Sequence, residues 1–118
     1  MSDIEQSVNA VADRLRLGPG FHEKDHTKVV ETLSSLDRHL AHWRPEALDL
    51  RISVKDRDTL NQRVTLEIWL PGWHSLLAHY QDRDLGHALV EVRKVMVREI
   101  EEERSKHEPH KGSAHQVH

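Results

Sequence analysis

The sequence predicts an α+β fold: a sheet of three strands, or four in the order β-α-β-β-β-α if a brief stretch before the first long helix pairs with them, carrying two long helices on one face behind an N-terminal helical extension. Three observations lead there. Two stretches repeat apolar residues at every third and fourth position, two stretches between them alternate strictly, and glycine or proline marks the junctions. Two amphipathic helices and a sheet with one apolar face bury each other in a two-layer sandwich, which leaves the other sheet face open. A chain of 118 residues holds one domain with a modest core.

The elements follow in order. Residues 2–12 place Ile4, Val8 and Val11 at helical spacing behind Ser2, with Glu5 three residues on, the pattern of a capping box. Leu15 and Leu17 alternate with Arg14 and Arg16, so residues 13–17 read either as a brief strand or as the end of that helix, before Gly18-Pro19-Gly20 forces a turn. Val29, Val30, Leu33, Leu36, Leu40 and Trp43 form one apolar stripe on a helix over residues 25–43, which Arg44-Pro45 ends.

Period two then takes over. Leu48, Leu50, Ile52 and Val54 share one strand face, and Val64, Leu66, Ile68 and Leu70 share another, across the polar turn 55–58. The pair reads as antiparallel. After Pro71-Gly72 a third strand runs over residues 75–81. Leu85, Ala88, Leu89, Val92, Met96 and Ile100 mark the second long helix, residues 84–106, with Asp84 as N-cap and Glu91, Lys94, Arg98 and Glu101 on its wet side. The organisation expected is an extension over 1–12, an α+β domain over 13–107, and a disordered histidine-rich tail over 108–118.

Composition excludes several functions. The chain has no cysteine, which removes disulfides, thiolate zinc sites and cysteine nucleophiles. No apolar run approaches the ~20 residues that span a bilayer, and the first twenty residues lack an export pattern, so a cytoplasmic protein without a membrane partner is expected. No serine-histidine-aspartate spacing, phosphate loop or prominent carboxylate pair stands out, which points away from an enzyme and gives no reason to expect a cofactor or a small-molecule substrate. Seventeen Lys and Arg against twenty Asp and Glu leave a net charge of −3. Nucleic-acid binding would therefore rest on local patches, although protonation of the eleven histidines would reverse the sign.

One spelling carries a chemical suggestion. His22-Glu23-Lys24-Asp25-His26 matches the H-E-x-x-H of zinc hydrolases, in which both histidines share a helix face and the glutamate activates a metal-bound water. It follows directly on Gly18-Pro19-Gly20-Phe21, places Lys and Asp at the variable positions, and has no glycine-histidine continuation. The start of a helix with no metal is the reading adopted, with a His22/His26 zinc hydrolase as a minor alternative.

From Leu15 to His107 the pattern resembles the ribosome hibernation-promoting factor and sigma-54 modulation protein family. The stretch Asp82-Arg83-Asp84-Leu85-Gly86-His87-Ala88-Leu89-Val90-Glu91-Val92 is similar to the start of that family's second helix. Met96-Val97-Arg98-Glu99-Ile100 resembles its aliphatic-x-Arg-Gln-aliphatic segment, and Val64-Thr65-Leu66-Glu67-Ile68 sits where its middle hairpin sits. The chain departs from the family at Ser34-Ser35, where lysine is common, at Gly86, where tyrosine is usual, and at Glu101-Glu102-Glu103. A short form, without the C-terminal dimerisation domain of the long members, is the form expected.

The resemblance implies binding to the small ribosomal subunit and repression of translation under stress, through Lys and Arg that meet rRNA phosphates. The residues available for this are Lys28, Arg38, Arg44, Arg51, Lys55, Arg63, Arg83, Arg93, Lys94 and Arg98, with Lys94 and Arg98 foremost. Trp69 and Trp73 are candidates for an exposed stacking or partner face. The alternative is a protein-protein interaction module, or a homodimer through the open sheet face, that kept the fold without ribosome binding.

Overall fold

The computed structural model describes residues 9–107. Ser2, Ile4, Glu5 and Val8 of the first expected helix, and the expected tail 108–118, lie outside them. The described chain runs α1 (Ala10–Arg14), β1 (Leu15–Leu17), a 3-10 turn (Glu23–Asp25), α2 (His26–Leu33), a 3-10 segment (Ser34–Leu40), a second 3-10 turn (Pro45–Ala47), β2 (Asp49–Lys55), β3 (Arg63–Trp69), β4 (Leu76–Gln81) and α3 (Leu85–His107).

The sheet has the order β1-β2-β3-β4. Residues 15–17 resolve as a strand parallel to β2, with Leu15 beside Leu50, Arg16 beside Arg51 and Leu17 beside Ile52. The rest is antiparallel: Ile52 faces Leu66 across β2 and β3, and Leu66 faces Ala78 across β3 and β4. This register places Leu50, Ile52, Val54, Val64, Leu66, Ile68, Leu76 and Ala78 on one side, all buried against Val29, Leu33, Leu36, Leu40, Leu89, Val92, Met96 and Ile100 of the helical layer.

The first long helix is not continuous. It stays α-helical only over His26–Leu33 and tightens into 3-10 geometry over Ser34–Leu40. The apolar stripe survives because Leu33, Leu36 and Leu40 still point inward. The carbonyls are what change partners. Thr32 Oγ1 donates to the Lys28 carbonyl at 2.9 Å and Ser34 Oγ to that of Glu31 at 3.0 Å. From α3, Arg93 donates to the Thr32 carbonyl and Arg104 to that of His39, each at 2.9 Å. Hydroxyls and guanidiniums thus compete with the i→i−4 ladder where Ser34-Ser35 already weakens it. The second helix follows expectation: Asp84 Oδ1 accepts the His87 N–H at 3.0 Å, a capping bond.

Gln62, a polar residue, is fully buried. Its Nε2 donates to the Asp82 carbonyl at 2.9 Å, its Oε1 accepts the Asp58 N–H at 2.9 Å, and its own carbonyl accepts the Asp82 N–H at 3.0 Å. These bonds tie the β2–β3 turn, where Asp56 and Asp58 take positive φ, to the end of β4. At the other side of the sheet Gly20 has φ +93°, and a Cβ there would lie 2.1 Å from the Val54 carbonyl oxygen. Gly72 has φ +83° with nothing within 4 Å of a built Cβ. Gly72→Ala is therefore expected to cost about 1 kcal/mol from backbone conformation alone, and Gly20→Ala roughly 3 kcal/mol or more from conformation plus steric clash. Urea denaturation of the two variants compares them directly.

Candidate nucleic-acid interface

The side of the sheet away from the helices carries the alternate residues of each strand. Across this face Arg16 lies beside Arg51, Arg51 faces Glu67, Glu67 faces Leu77, Lys55 faces Arg63, and Asp49 faces Trp69. Arg16 pairs with Asp49 at 3.2 Å. Among the described residues Arg51, Lys55 and Arg63 enter no ion pair, and all three are exposed. Gly18 leaves room for the Arg51 guanidinium, whose Nε lies 2.9 Å from where a Cβ would stand.

The face is therefore two-ended. At one end Lys55 and Arg63 stand directly opposite each other. At the other, Trp69 and Leu77 are diagonal neighbours, 37% and 52% exposed.

The other expected contacts lie elsewhere. Lys28, Arg38, Lys94 and Arg98 are exposed on the helical layer. Arg38 there borders a shallow depression with Ser34, Ser35 and Asp37. Lys94 sits 3.5 Å from Glu91, and Arg93 is occupied by the Thr32 carbonyl in the seam between α2 and α3. Arg44 pairs with Glu46 at 3.4 Å on the connection to β2, and Arg83 stands exposed between Asp82 and Asp84. The structure distributes the expected cations over two opposite faces and two loops instead of gathering them.

Trp73 lies away from the sheet's open face. The Pro71-Gly72 turn swings it toward the end of α3, where it packs edge-on against Trp43 and stacks on His107, each at a ring separation of 4.9 Å. Of the two tryptophans proposed for a partner face, Trp69 alone lies on it. Arg16, Arg57 and Gln62 carry structural or electrostatic roles that the sequence pattern did not single out. The alternation of Arg14 and Arg16 with Leu15 and Leu17 was the available signal for Arg16.

The H-E-x-x-H spelling does not form one helix face. His22 has extended backbone, with φ −117° and ψ 161°, and precedes the 3-10 turn. Its N–H donates to Asp25 Oδ2 at 2.7 Å, and Asp25 also takes Arg57 at 2.8 and 3.2 Å. Arg57 in turn lies 5.7 Å above the Phe21 ring. Among the described residues no group of three His, Asp or Glu is placed to hold a metal ion. The spelling builds a turn closed by an ion pair, and the zinc-hydrolase alternative loses its geometric basis.

The Arg57 guanidinium, helped by the His22 N–H, holds the Asp25 carboxyl down to about 2. A depressed carboxyl contributes stability that is complete above the ordinary aspartate range and is lost as pH falls through the folded value. Arg57→Met is expected to cost about 1–3 kcal/mol at pH 7, with the gap to the parent narrowing as pH drops from about 4 toward about 2. Urea denaturation at pH 7 and pH 2.5 reads both.

At the start of α3 the two ring nitrogens of His87 face Asp82 and, at 3.4 Å, Glu91. Asp82 holds the imidazole proton, so the His87 pKa is raised above 6.5. The carboxyl of Asp82 is lowered, first by the Asp84 N–H and then by His87. The pairing supports the helix start fully below pH 6.5 and fades as pH rises through the elevated value. In an NMR titration Asp82→Asn is expected to bring the His87 midpoint back down toward 6.5.

No protein-family model matches this sequence, and no curated protein does. Solved structures match in fold. A ribosomal subunit interface protein from Coxiella burnetii superposes with a TM-score of 0.56 at 11% identity, over 78% of this chain and 98% of that one. The N-terminal domain of Thermus thermophilus Protein Y superposes with a TM-score of 0.52 at 18% identity, over 75% of this chain and 93% of that one. The chain thus has the fold of these proteins: a mixed four-stranded sheet with its helices on one face.

Proposed function

We propose that this protein binds the small ribosomal subunit through rRNA phosphates and represses translation by occupying it, as expected of a hibernation-type factor. The observation that carries the reading is the Lys55–Arg63 pair. Like charges directly opposite each other on neighbouring strands destabilise a sheet by roughly 0.2–1 kcal/mol, and an anion lying across them reverses that sign. Arg51, which enters no ion pair among the described residues, extends the same patch along β2, with Arg16 beside it on β1 held by Asp49, so a phosphate backbone crossing the open face meets Lys55, Arg63 and Arg51 in turn. Trp69 offers a base a stacking surface at the far end of the face. The fold supports the same reading, since a protein of this architecture is a ribosomal subunit interface protein. Lys28, Arg38, Lys94 and Arg98 form a second set on the helical layer, interleaved with Glu31, Glu91 and Glu99, which weakens their field.

The exposed Trp69 and Leu77 favour a second reading, an interaction module or homodimer that closes over the apolar end of the sheet. Co-sedimentation with purified small subunits at graded salt separates the two. Phosphate contacts make affinity fall steeply with salt, by close to one logarithmic unit of slope per contact. Lys55→Glu with Arg63→Glu is expected to weaken binding at least tenfold and to flatten the slope by about two, whereas Lys94→Glu with Arg98→Glu has a smaller effect. Absence of association at every salt concentration overturns the ribosome reading, and sedimentation of the free protein as a dimer that Trp69→Ala dissociates supports the second.

A further inference from the structure

β4 is an edge strand: among the described residues only β3 pairs with it. Among the described residues no other backbone hydrogen bond outside the helices and strands reaches Leu76–Gln81. Edge strands in stable monomers are usually guarded by lysine, proline or a bulge. The sequence Leu-Leu-Ala-His-Tyr-Gln contains no Lys, Arg, Asp, Glu or Pro, and Leu77 stands half exposed on it. The edge is about 20 Å long at the usual rise per residue.

What lies above this edge determines what it accepts. α3 runs back over β4, from His87 against Tyr80 to Glu103 against His74. One flank of α3 faces α2 and the 3-10 segment, where Arg93 meets Thr32, Glu101 meets His39 and Arg104 meets the His39 carbonyl. Helical spacing puts Glu91, Val95, Glu99 and Glu102 on the opposite flank, overhanging the outer edge of β4, with Arg98 at its solvent rim and Lys106, paired with Glu103, at its end. Glu99 and Glu102 enter no ion pair among the described residues, and Glu91 is shared between His87 and Lys94.

We infer that the β4 edge is a docking site for an extended peptide segment of another protein that pairs as a fifth strand and alternates basic with apolar residues. Its backbone satisfies the free groups of β4. Its lysines or arginines, on the helix side, meet Glu91, Glu99 and Glu102, and its apolar residues, on the open side, cover Leu77. A second copy of this chain is disfavoured as occupant, because two-fold pairing of β4 with itself brings the glutamate flank of α3 alongside its own copy.

The probe is a fluorescent, end-blocked octapeptide alternating lysine and valine, titrated into the full chain by anisotropy, with hydrogen exchange followed residue by residue. Binding with new protection confined to Leu76–Gln81 is expected. Affinity should drop tenfold or more for the Glu99→Lys, Glu102→Lys double variant, for a peptide with glutamate in place of lysine, and for one methylated at every backbone nitrogen. Lys55→Glu with Arg63→Glu should leave it unchanged, so this proposal and the rRNA reading fail independently. Equal affinity for a composition-matched peptide with its lysines in one block, protection elsewhere than β4, no binding, or a peptide-free dimer already protected at β4 overturns the inference.

Discussion

Each of the strands β2, β3 and β4 buries the side chains of one side only, and the helical layer covers that side; on the other, Trp69 and Leu77 are the large apolar residues left exposed. From this one-sidedness the remaining arrangement follows. A slip of one residue would turn Ile52 or Leu66 outward and drive Arg51, Ser53, Thr65 or Glu67 inward, so burial locks the register. The locked register in turn sets Lys55 against Arg63 and Trp69 near Leu77 on the wet side. The open face is thus a by-product of the core. Its charges stand where packing on the other side puts them.

The same covering layer explains why charge counting misleads. The net charge of −3 is not spread evenly. Along α3 glutamates balance lysines and arginines in number, with Glu99 and Glu102 outside any ion pair among the described residues, while at one end of the sheet Lys55 and Arg63 likewise enter none. Arg93, expected as a phosphate contact, is a fastener, as Arg104 and Arg57 are: Arg93 and Arg104 hold carbonyls of the neighbouring helical stretch, and Arg57 holds Asp25. A guanidinium has five donors and reaches far enough to satisfy backbone groups across a seam, so in a small domain it serves packing as readily as recognition.

Local pattern was sufficient wherever the interaction is local. The alternation over β2 and β3, the stripe and Asp84 cap of α3, and the turn at Gly18-Pro19-Gly20 were legible because each depends on neighbours a few residues away. The short parallel strand β1 remained open between two readings, since three residues carry too little periodicity and only pairing with Leu50, Arg51 and Ile52 decides it. The break of the first helix was illegible, because the bonds that cause it include two from α3, about sixty residues further on. The geometry of H-E-x-x-H lay beyond the local pattern for a related reason. The spelling supposes a helix face, and the chain arrives at His22 still extended, with Asp25 already engaged by Arg57.

By itself the sequence determined the layer architecture, the strand alternation and which residues face the core, because hydrophobic periodicity is written along the chain and burial must respect it. Only the tertiary structure decided which cations stand together, which tryptophan remains on the open face, and that, among the described residues, a six-residue strand is paired on one side only, beneath the outer flank of α3. Those relations join separate segments of the chain, from Lys55 with Arg63 across one turn to Arg16 with Arg51 across the whole first helical stretch, and they exist only once register and helix placement have brought the segments together.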